Sequence, residues 1–386
     1  MTVLLTADQV VTPARVLAPG WLILDGDRIT EVGEGAPPRT ADLDLGATTV
    51  VPGFVDLHVH GGGGASFDTG TADAAAVVAD THLSHGTTSM AASLVTDTHD
   101  RMAAAVRELA LLVQDGRLAG VHLEGPWLSP RRSGAHQPGS LSDPDPSSVE
   151  ALLDAADPST GSGRRGAVRM VTLAPELAGG LAAVRLLAER GVVAAIGHTD
   201  ATYDEARAAL DAGARLGTHL FNAMRPLHHR DPGPVGALVD SPVDVELIAD
   251  GVHLHPAVLR TVFAAKPDRC ILVTDAMAAA GAPDGDYRLG PMAIEVREGV
   301  ARLADGSGTG AIAGSTLTMA AAVRFAAGEA GLPLLDVVRA ATTTPARAWG
   351  LTDVGALEPG RRADLVVLDD RLDVVRVMRA GAWVAR

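Results

Sequence analysis

This sequence of 386 residues contains very little cysteine and few aromatic residues. The single cysteine, Cys270, lies in the apolar run CILVTDAM, so no intrachain disulfide can form and a reducing, cytoplasmic location is expected. Aromatic residues make up 3% of the chain against 47% hydrophobic residues, which predicts a core built from Ala, Val and Leu. The uncharged runs are rich in Gly, Ser and Thr and predict no membrane span. This composition is typical of a folded globular protein.

Positive charge is also scarce, because 32 lysines and arginines face 47 aspartates and glutamates, for a net charge of −15. Such a chain repels nucleic-acid phosphates and anionic lipids, so neither class of partner is expected. Lysine occurs only once, as Lys266. An anionic small molecule can still bind where a few positive groups converge.

Extended segments with Gly-Asp turns open and close the chain. The opening segments are VLLTADQVV, GWLILDGDRITEVG and ATTVVPG, and the closing segments are ADLVVLDD and VVRVMRAGAWVAR. None of them has helical periodicity. We therefore predict one small β domain formed by residues 1–52 and 355–386, and a larger domain over residues 53–354.

The middle of the chain alternates apolar runs with Ala-rich helical stretches, which is typical of repeated β-α units and a parallel sheet. There are eight such runs, at residues 54–60, 87–95, 118–125, 167–175, 192–198, 216–224, 244–254 and 270–277. Eight parallel strands with intervening helices predict an α/β fold, a TIM-like (β/α)8 barrel. Active sites in such barrels lie at the carboxyl ends of the strands.

Six side chains able to bind a metal lie at or near the ends of these runs. They are His58, His60, Glu124, His198, His219 and Asp275. His58 and His60 are two residues apart in an extended run, so their side chains point to the same face. Imidazole nitrogens and carboxylate oxygens at one barrel mouth predict a site for zinc or another divalent ion.

Each of these residues has a plainer interpretation when taken alone. A lone histidine is more often a hydrogen-bonded core residue, and Glu124 can form an ion pair with an arginine. Asp275 can be a general acid/base beside the metal, a further metal ligand or a helix N-cap. A carboxylated lysine between two metals is not expected, because Lys266 precedes a strand rather than ending one. The shared placement at strand ends favours the metal site.

Ordered motifs along most of the chain resemble those of the N-acetylglucosamine-6-phosphate deacetylase family, a branch of the amidohydrolase superfamily. The motifs are H-V-H, HLEGPW, SGAHQP, GHTDA, THLFNAM, DGVHLHP, VTDAM and AIAGST. The terminal β segments resemble the small β-sandwich domain of that family. The resemblance implies hydrolysis of N-acetylglucosamine 6-phosphate to glucosamine 6-phosphate and acetate by a metal-activated water, in amino-sugar catabolism and cell-wall recycling.

The resemblance also implies which residues hold the metal. One divalent ion is implied at Glu124, His198 and His219. A second position involves His58 and His60. One or two ions per subunit are therefore expected, with zinc first and iron or another divalent ion as alternatives.

Further roles follow from the same resemblance. Asp275 is implied as the catalytic acid/base, which also contacts the metal, and His136 is implied to contact the sugar or polarise the acetyl carbonyl. Arg230 is expected to reach the phosphate from the neighbouring subunit, which implies a homodimer. The implied substrate-binding residues are Ala135, His136, Asn222, Ala223, Arg230, His253, Ile312, Ala313 and Gly314.

The residues themselves support an anion site in one place. Arg225, His228, His229 and Arg230 form a local basic cluster, and arginine suits phosphate because its planar fork can bind two oxygens. A solvated charged loop is the alternative for this cluster. For the whole chain, the alternatives are a cyclic-amide hydrolase or deaminase on the same barrel, or a catalytically silent sugar-phosphate-binding protein.

Overall fold

The computed structural model describes residues 2–156, 166–306 and 309–385, so Met1 and Arg386, the two ends of the predicted small domain, lie outside the described residues. Seven strands open the chain: β1 (Thr2–Ala7), β2 (Gln9–Val11), β3 (Val16–Leu17), β4 (Gly20–Asp25), β5 (Arg28–Glu34), β6 (Leu43–Asp44) and β7 (Thr49–Pro52). The β4–β5 hairpin turns at Gly26, whose φ of 59° is a left-handed conformation that glycine adopts without steric cost.

Eight parallel strands then form one sheet in sequential order. They are β8 (Phe54–Asp56), β11 (Thr87–Val95), β12 (Gly120–Glu124), β13 (Val168–Leu173), β14 (Val193–Ile196), β15 (Leu216–Gly217), β16 (Asp244–Ile248) and β17 (Cys270–Val273). A short hairpin of β9 (Gly61–Gly62) and β10 (Ala65–Ser66) follows β8. These strands correspond to the eight predicted runs, so the prediction of a (β/α)8 barrel is confirmed.

Most of the strands are shorter than the apolar runs that predict them. The sixth strand ends at Gly217, although its run extends to residue 224, because His219 and Phe221 have φ values of 27° and 78°. A left-handed backbone conformation cannot continue a strand. The functional side chains therefore stand at the ends of the strands or just beyond them.

The barrel closes between its first and last strands through the segments that follow them. The Asp275 N–H donates to the carbonyl oxygen of His58 at 2.8 Å, and the His60 N–H donates to the carbonyl oxygen of Ala276 at 2.8 Å. A parallel bridge joins Val59 to Ala276. Closure of the barrel thus brings two histidines and an aspartate, far apart in sequence, to the same place.

Helices cover the outside of the barrel. The α-helices are α1 (Ala72–Ser84), α2 (His99–Gln114), α3 (Pro146–Ala155), α4 (Gly180–Glu189), α5 (Tyr203–Ala212), α6 (Gly233–Val239), α7 (Pro256–Ala265), α8 (Met319–Arg324), α9 (Leu334–Ala341) and α10 (Thr343–Ala348). The described part of the chain also has three 3-10 turns (Phe67–Thr69, Pro130–Arg132, Pro138–Ser140) and one π-helical turn (Phe325–Glu329). Helix α5 begins with a capping box between Thr202 and Glu205. Across the three described ranges, no helix has the length and hydrophobicity that a bilayer crossing requires.

A three-stranded antiparallel sheet that the sequence analysis did not predict follows the last barrel strand. Its strands are β18 (Gly285–Leu289), β19 (Met292–Arg297) and β20 (Val300–Leu303). Leu289, Ile294 and Val296 pack in one apolar cluster with Ala135 and Met277. The sheet therefore forms a wall on one side of the barrel mouth.

Strands from both ends of the chain share a second, smaller core. The closing strands are β21 (Leu365–Leu368), β22 (Val374–Arg379) and β23 (Ala382–Trp383). Strand β21 pairs antiparallel with β7, in a six-stranded sheet of order β23-β22-β21-β7-β2-β3. Strands β5, β4, β1 and β6 form the opposing sheet, and Leu5 and Leu22 from it pack with Leu365 and Met378. The predicted β-sandwich built from both termini is confirmed.

His82 on α1 makes the stability of the fold depend on pH. The side chain is fully buried with Nε2 2.9 Å from the carbonyl oxygen of Gly61, and burial lowers its pKa from 6.5 to about 4. The unfolded chain binds the extra proton, so this contribution is complete above pH 6.5 and is lost as the pH falls towards 4. The loss is roughly 3 kcal/mol.

We expect His82→Gln, which keeps an N–H donor for Gly61, to remove this dependence. We would measure the unfolding free energy with denaturant at several pH values between 6.5 and 4. It should fall less steeply in the variant than in the wild type, and the slope should correspond to nearly one proton fewer taken up on unfolding. Parallel pH profiles for the two proteins would contradict the assignment. The other buried histidines are present in both proteins, so the difference isolates His82.

Candidate metal centre and active site

The six predicted metal-binding residues meet at one point on the barrel axis. Glu124, the last residue of β12, lies at the centre. Its Oε1 is 2.9 Å from Nε2 of His219, 3.1 Å from Nε2 of His198 and 3.5 Å from Nε2 of His58. Its Oε2 is 3.2 Å from Nε2 of His60. One carboxylate therefore faces four histidines from three different strand ends.

Two neighbouring groups of donor atoms have the spacing of metal ligands. In the first, His198 and His219 place Nε2 atoms 3.1 Å apart beside Oε1 of Glu124. In the second, His58 and His60 place Nε2 atoms 3.0 Å apart, and Oδ1 of Asp275 is 3.2 Å from His60 and 3.5 Å from His58. Nitrogen and oxygen donors about 3 Å apart suit a divalent ion bound at ~2.0–2.2 Å from each. The residues present fit one or two such ions.

The pKa values of the carboxylates and imidazoles in this cluster indicate that its buried negative charge needs a positive partner. Burial alone would raise the pKa of Glu124, but His58, His136 and His198 hold it well below its usual value. Burial alone would lower the pKa of His60, but Asp275 and Glu124 raise it to about 9. The buried carboxylates are thus ionised and draw protons onto neighbouring imidazoles. A divalent cation supplies the same compensation and displaces those protons.

Three of these residues have an uncommon backbone conformation. His198, His219 and Asp275 have φ values of 46°, 27° and 49°. A non-glycine residue costs free energy in the left-handed region, and such residues cluster at functional sites. The conformation occurs just after strands β14, β15 and β17, where each chain segment leaves the barrel.

Thr96 fixes the orientation and the proton of His136. The backbone N–H of Thr96 donates to Nδ1 of His136 at 3.2 Å, so the ring proton is on Nε2, which lies 3.3 Å from Oε2 of Glu124. Burial, and then His198, lower the pKa of His136 to about 4, so the ring is neutral near pH 7. A protonated Nε2 cannot ligate a metal but can donate to a developing oxyanion.

A cavity of ≈ 340 Å³ opens above the metal-binding groups. It is lined by His60, Glu124, Arg131, Arg132, Gly134, Ala135, His136, His198, His219, Asn222, Ala223, His253, Asp275, Leu289, Ala311, Ile312 and Gly314. His58 is fully buried beneath it. Most of the predicted substrate-binding residues are therefore brought together at one cavity.

Two of the predicted substrate-binding residues, Ala313 and Arg230, do not line this cavity. Ala313 is buried in the apolar cluster behind it, next to Met277. Arg230 is exposed on the loop between β15 and α6, with Nη1 2.8 Å from Nε2 of His229. Arg230 therefore does not reach the cavity of its own chain.

The structure also places residues at the site that the sequence analysis missed. Arg131 and Arg132 line the cavity and both form ion pairs with Asp200, at 3.2 and 2.8 Å. Asp250 holds Nδ1 of His253 at 2.7 Å. The signal for the arginines was a double arginine beside the SGAHQP motif, but only the fold shows that it faces the cavity.

Comparison with known proteins agrees with this geometry. A model of the amidohydrolase family matches residues 49–384. An N-acetylgalactosamine-6-phosphate deacetylase of Escherichia coli O157:H7 is 36% identical over 372 residues, which covers 94% of this chain and 95% of that protein. An N-acetylglucosamine-6-phosphate deacetylase of Danio rerio is 38% identical over 359 residues, with 89% of this chain and 86% of that protein covered.

A solved structure of a relative is also similar to this chain over its whole length. The N-acetyl-D-glucosamine-6-phosphate deacetylase of Mycobacterium smegmatis, in complex with N-acetyl-D-glucosamine-6-phosphate, has a TM-score of 0.95 and 52% sequence identity, and the match covers 100% of both chains. The chain therefore belongs to the amidohydrolase family, in the group of the N-acetylglucosamine-6-phosphate deacetylases.

Proposed function

We propose that this protein is a metal-dependent hydrolase that removes the acetyl group from N-acetylglucosamine 6-phosphate. The observation that carries the proposal is the position of Glu124 between two donor groups, with His198 and His219 on one side and His58 and His60 on the other, where Asp275 and His136 face the same cavity. Relatives with this activity, at 36–38% identity over most of the chain, support the choice of substrate. The products are glucosamine 6-phosphate and acetate, which places the reaction in amino-sugar catabolism and cell-wall recycling.

Residues of both donor groups hold the metal in this proposal. Glu124, His198 and His219 bind one ion, and His58 and His60, with Asp275, provide the second position. Zinc is our first choice, because nitrogen and carboxylate donors at this spacing suit it, and iron is the alternative. When bound, a divalent ion lowers the pKa of water and polarises a carbonyl oxygen.

The chain's own residues carry the proton transfers. Asp275, ionised at neutral pH and 11% exposed at the cavity floor, accepts a proton from the attacking water. The hydroxyl adds to the acetamide carbon, and Nε2–H of His136 donates to the oxyanion that forms. As the carbon–nitrogen bond breaks, Asp275 returns the proton to the amine. The carboxyl group of Asp275 is ionised again, the acetic acid formed gives its proton to the amine, and acetate and a protonated amino sugar leave.

The remaining cavity residues position the sugar phosphate. The contacts proposed for the sugar and phosphate come from Ala135, His136, Asn222, Ala223, His253, Ile312, Ala313 and Gly314. Asp250, through its 2.7 Å contact with Nδ1, orients the His253 ring. We propose that Arg230 enters the cavity of a partner subunit in a homodimer, which its exposed position outside its own cavity supports.

Arg230→Ala should therefore weaken binding of the phosphorylated substrate alone. Loss of a charge-assisted hydrogen bond of about 1.5–3 kcal/mol predicts a KM for N-acetylglucosamine 6-phosphate raised roughly 10–100-fold. Turnover of the unphosphorylated sugar should stay the same. Arg207→Ala, on the outer surface of α5, serves as the matched control. An unchanged KM for the phosphorylated sugar would remove Arg230 from the site.

We also propose the organisation and location expected from the sequence. A sandwich domain of residues 1–52 and 355–386 and a barrel domain of residues 53–354 are supported by the break between β7 and β8 at Gly53. A cytoplasmic location is supported by the lone cysteine, Cys270, which is buried and unpaired. Its thiol pKa is raised by burial to about 12, so it is not a nucleophile.

The proposal is tested by measuring the products from a panel of substrates. N-Acetylglucosamine 6-phosphate should release acetate and a free amine in equal amounts, much faster than unphosphorylated N-acetylglucosamine. N-Acetylgalactosamine 6-phosphate belongs in the panel because one relative acts on that sugar. The proposal would be wrong if the protein instead opened the ring of a cyclic amide or released ammonia, which would identify a cyclic-amide hydrolase or a deaminase. Tight binding of the sugar phosphate without turnover would identify a catalytically silent binding protein.

A further inference from the structure

We propose that Glu246 is a positioning residue that fixes the ring proton of His58 and thereby creates the second metal position. Glu246 is in the middle of β16, and its side chain points into the barrel beneath the cavity, with no exposed surface. It is not a metal ligand in the function proposed above. The inference rests on that function only in that the cluster binds a divalent ion.

The contacts of Glu246 connect both donor groups. Its Oε2 lies 3.1 Å from Nδ1 of His58 and accepts the backbone N–H of His219 at 3.3 Å. Its Oε1 has no hydrogen-bond partner among the described residues. A fully buried carboxylate that is only half satisfied is costly, so it is not explained by packing alone. It needs a function that depends on its acceptor oxygen or its charge.

The function follows from the two nitrogens of His58. A neutral imidazole carries one proton, and Glu246 can only accept, so the proton is on Nδ1 and the lone pair is on Nε2. That Nε2 faces His60 at 3.0 Å and Asp275 at 3.5 Å, inside the second donor group. Without Glu246, Nε2–H could donate to the carboxylates of Asp275 or Glu124, and the lone pair would point away from the ion.

The charge of Glu246 acts in the same direction. An ion at the first donor group is compensated mainly by Glu124, whereas a second ion brings further positive charge to the other side of the cluster. Glu246 adds a buried carboxylate to Asp275 on that side, behind the ring of His58. A carboxylate that accepts from a metal-bound histidine raises the basicity of that ligand, and its loss costs ~10–100-fold in metal affinity.

Two substitutions separate the acceptor from the charge. Glu246→Gln keeps an acceptor oxygen for His58 but loses the charge, and Glu246→Leu loses both. After equilibration with zinc in a competing chelator, we expect the wild type to retain about two ions per chain. Glu246→Leu should bind the second ion roughly 100-fold more weakly and retain about one, with a smaller, roughly tenfold loss in Glu246→Gln. Metal content and zinc titration give these values without any substrate.

A double-mutant cycle tests whether the effect passes through His58. In a His58→Ala background, Glu246→Leu should cause no further loss of metal. Asp56→Asn is the matched control, because Asp56 is a fully buried carboxylate in the same barrel that accepts from the backbone N–H groups of His58 and Thr274 and from the Thr274 hydroxyl, but does not contact the imidazole. It should retain two ions.

Three results would overturn the proposal. They are unchanged zinc affinity in Glu246→Leu, additive losses in the double variant, and a wild-type chain that never binds a second ion. Circular dichroism and thermal unfolding identify a variant that fails to fold, in which case the isosteric Glu246→Gln decides. A wild type with two ions but no deacetylase activity would contradict the proposed function and leave the role of Glu246 intact.

Discussion

In protein saturated with metal, so that the weaker binding expected at the second position does not contribute, Asp275→Asn should reduce kcat on N-acetylglucosamine 6-phosphate by about 10³–10⁴-fold while KM changes little. The amide cannot accept the proton of the attacking water or deliver one to the leaving amine, and general acid–base catalysis contributes ~10²–10⁴-fold. Asp275 has its pKa held below the usual range by His58 and His60, against the effect of burial. The carboxylate is therefore in its basic form throughout the neutral range.

The control for this variant is Asp268→Asn. Asp268 also has a left-handed backbone, with a φ of 60°, but it lies before β17 and pairs with Arg339, at the opposite end of that strand from the cavity. The turnover of the Asp268→Asn protein should match that of the wild type. Steady-state kinetics with metal analysis on the same samples decides the matter. Full turnover in Asp275→Asn with normal metal content would assign the proton transfer to another group.

Glu124→Gln should lose both metal and activity. Among the residues that the structure describes, Glu124 is the only side chain that faces His58, His60, His198 and His219 together. Removing one charged partner from a buried network costs about 3–5 kcal/mol, which corresponds to ~10²–10⁴-fold in metal affinity. At limiting metal, turnover should fall by at least that factor, and excess metal should restore only part of it.

Glu176→Gln provides the comparison for Glu124→Gln. Glu176 accepts from the N–H of Asp200 and the hydroxyl of Thr199, beside the metal-binding groups but without touching them. The metal affinity of the Glu176→Gln protein should stay within about twofold of the wild type, inside the ~0.5 kcal/mol typical of neutral substitutions. Equal metal affinity in both variants would show that Glu124 does not bridge the two donor groups.

The sequence alone was sufficient to predict the barrel and the six groups at its centre. Eight apolar runs set the strand count, and His58, Glu124, His198, His219 and Asp275 ended runs that had to share one barrel edge. The prediction depended on topology, because parallel strands place their carboxyl ends together. The prediction of the site did not depend on the lengths of the strands. Most strands are shorter than the apolar runs that predict them, because the chain turns away from the strand direction near the functional residues.

Glu246 was missed although the same argument applied to it. It lies in the apolar run DVELIADG, as Glu124 lies in GVHLEG, and an unpaired buried carboxylate demands a partner in both. Glu246 was overlooked because it sits in the middle of its strand rather than at the end. The sheet at residues 285–303 was missed for a different reason, since the barrel pattern left that stretch as a connection despite its alternating residues and Gly-containing turns.

The contacts of the loop at Arg131 and Arg132 could not be predicted from the sequence. Their partner, Asp200, is 68 and 69 positions away along the chain. The double arginine is visible in the sequence, but nothing local identifies Asp200 as its partner, and only the folded barrel brings the loop after β12 over the end of β14. Contacts of this kind, between two loops, depend on backbone geometry that residue type does not encode.

The most direct test of the whole account is the release of acetate from N-acetylglucosamine 6-phosphate before and after the metal is removed. The metal-loaded protein should release acetate and glucosamine 6-phosphate in a one-to-one ratio. After chelation the rate should fall by at least ~10³-fold, and adding zinc should restore it in proportion to the ion bound. Undiminished acetate release from protein shown to hold no metal, or no acetate from the fully loaded protein, would contradict the account.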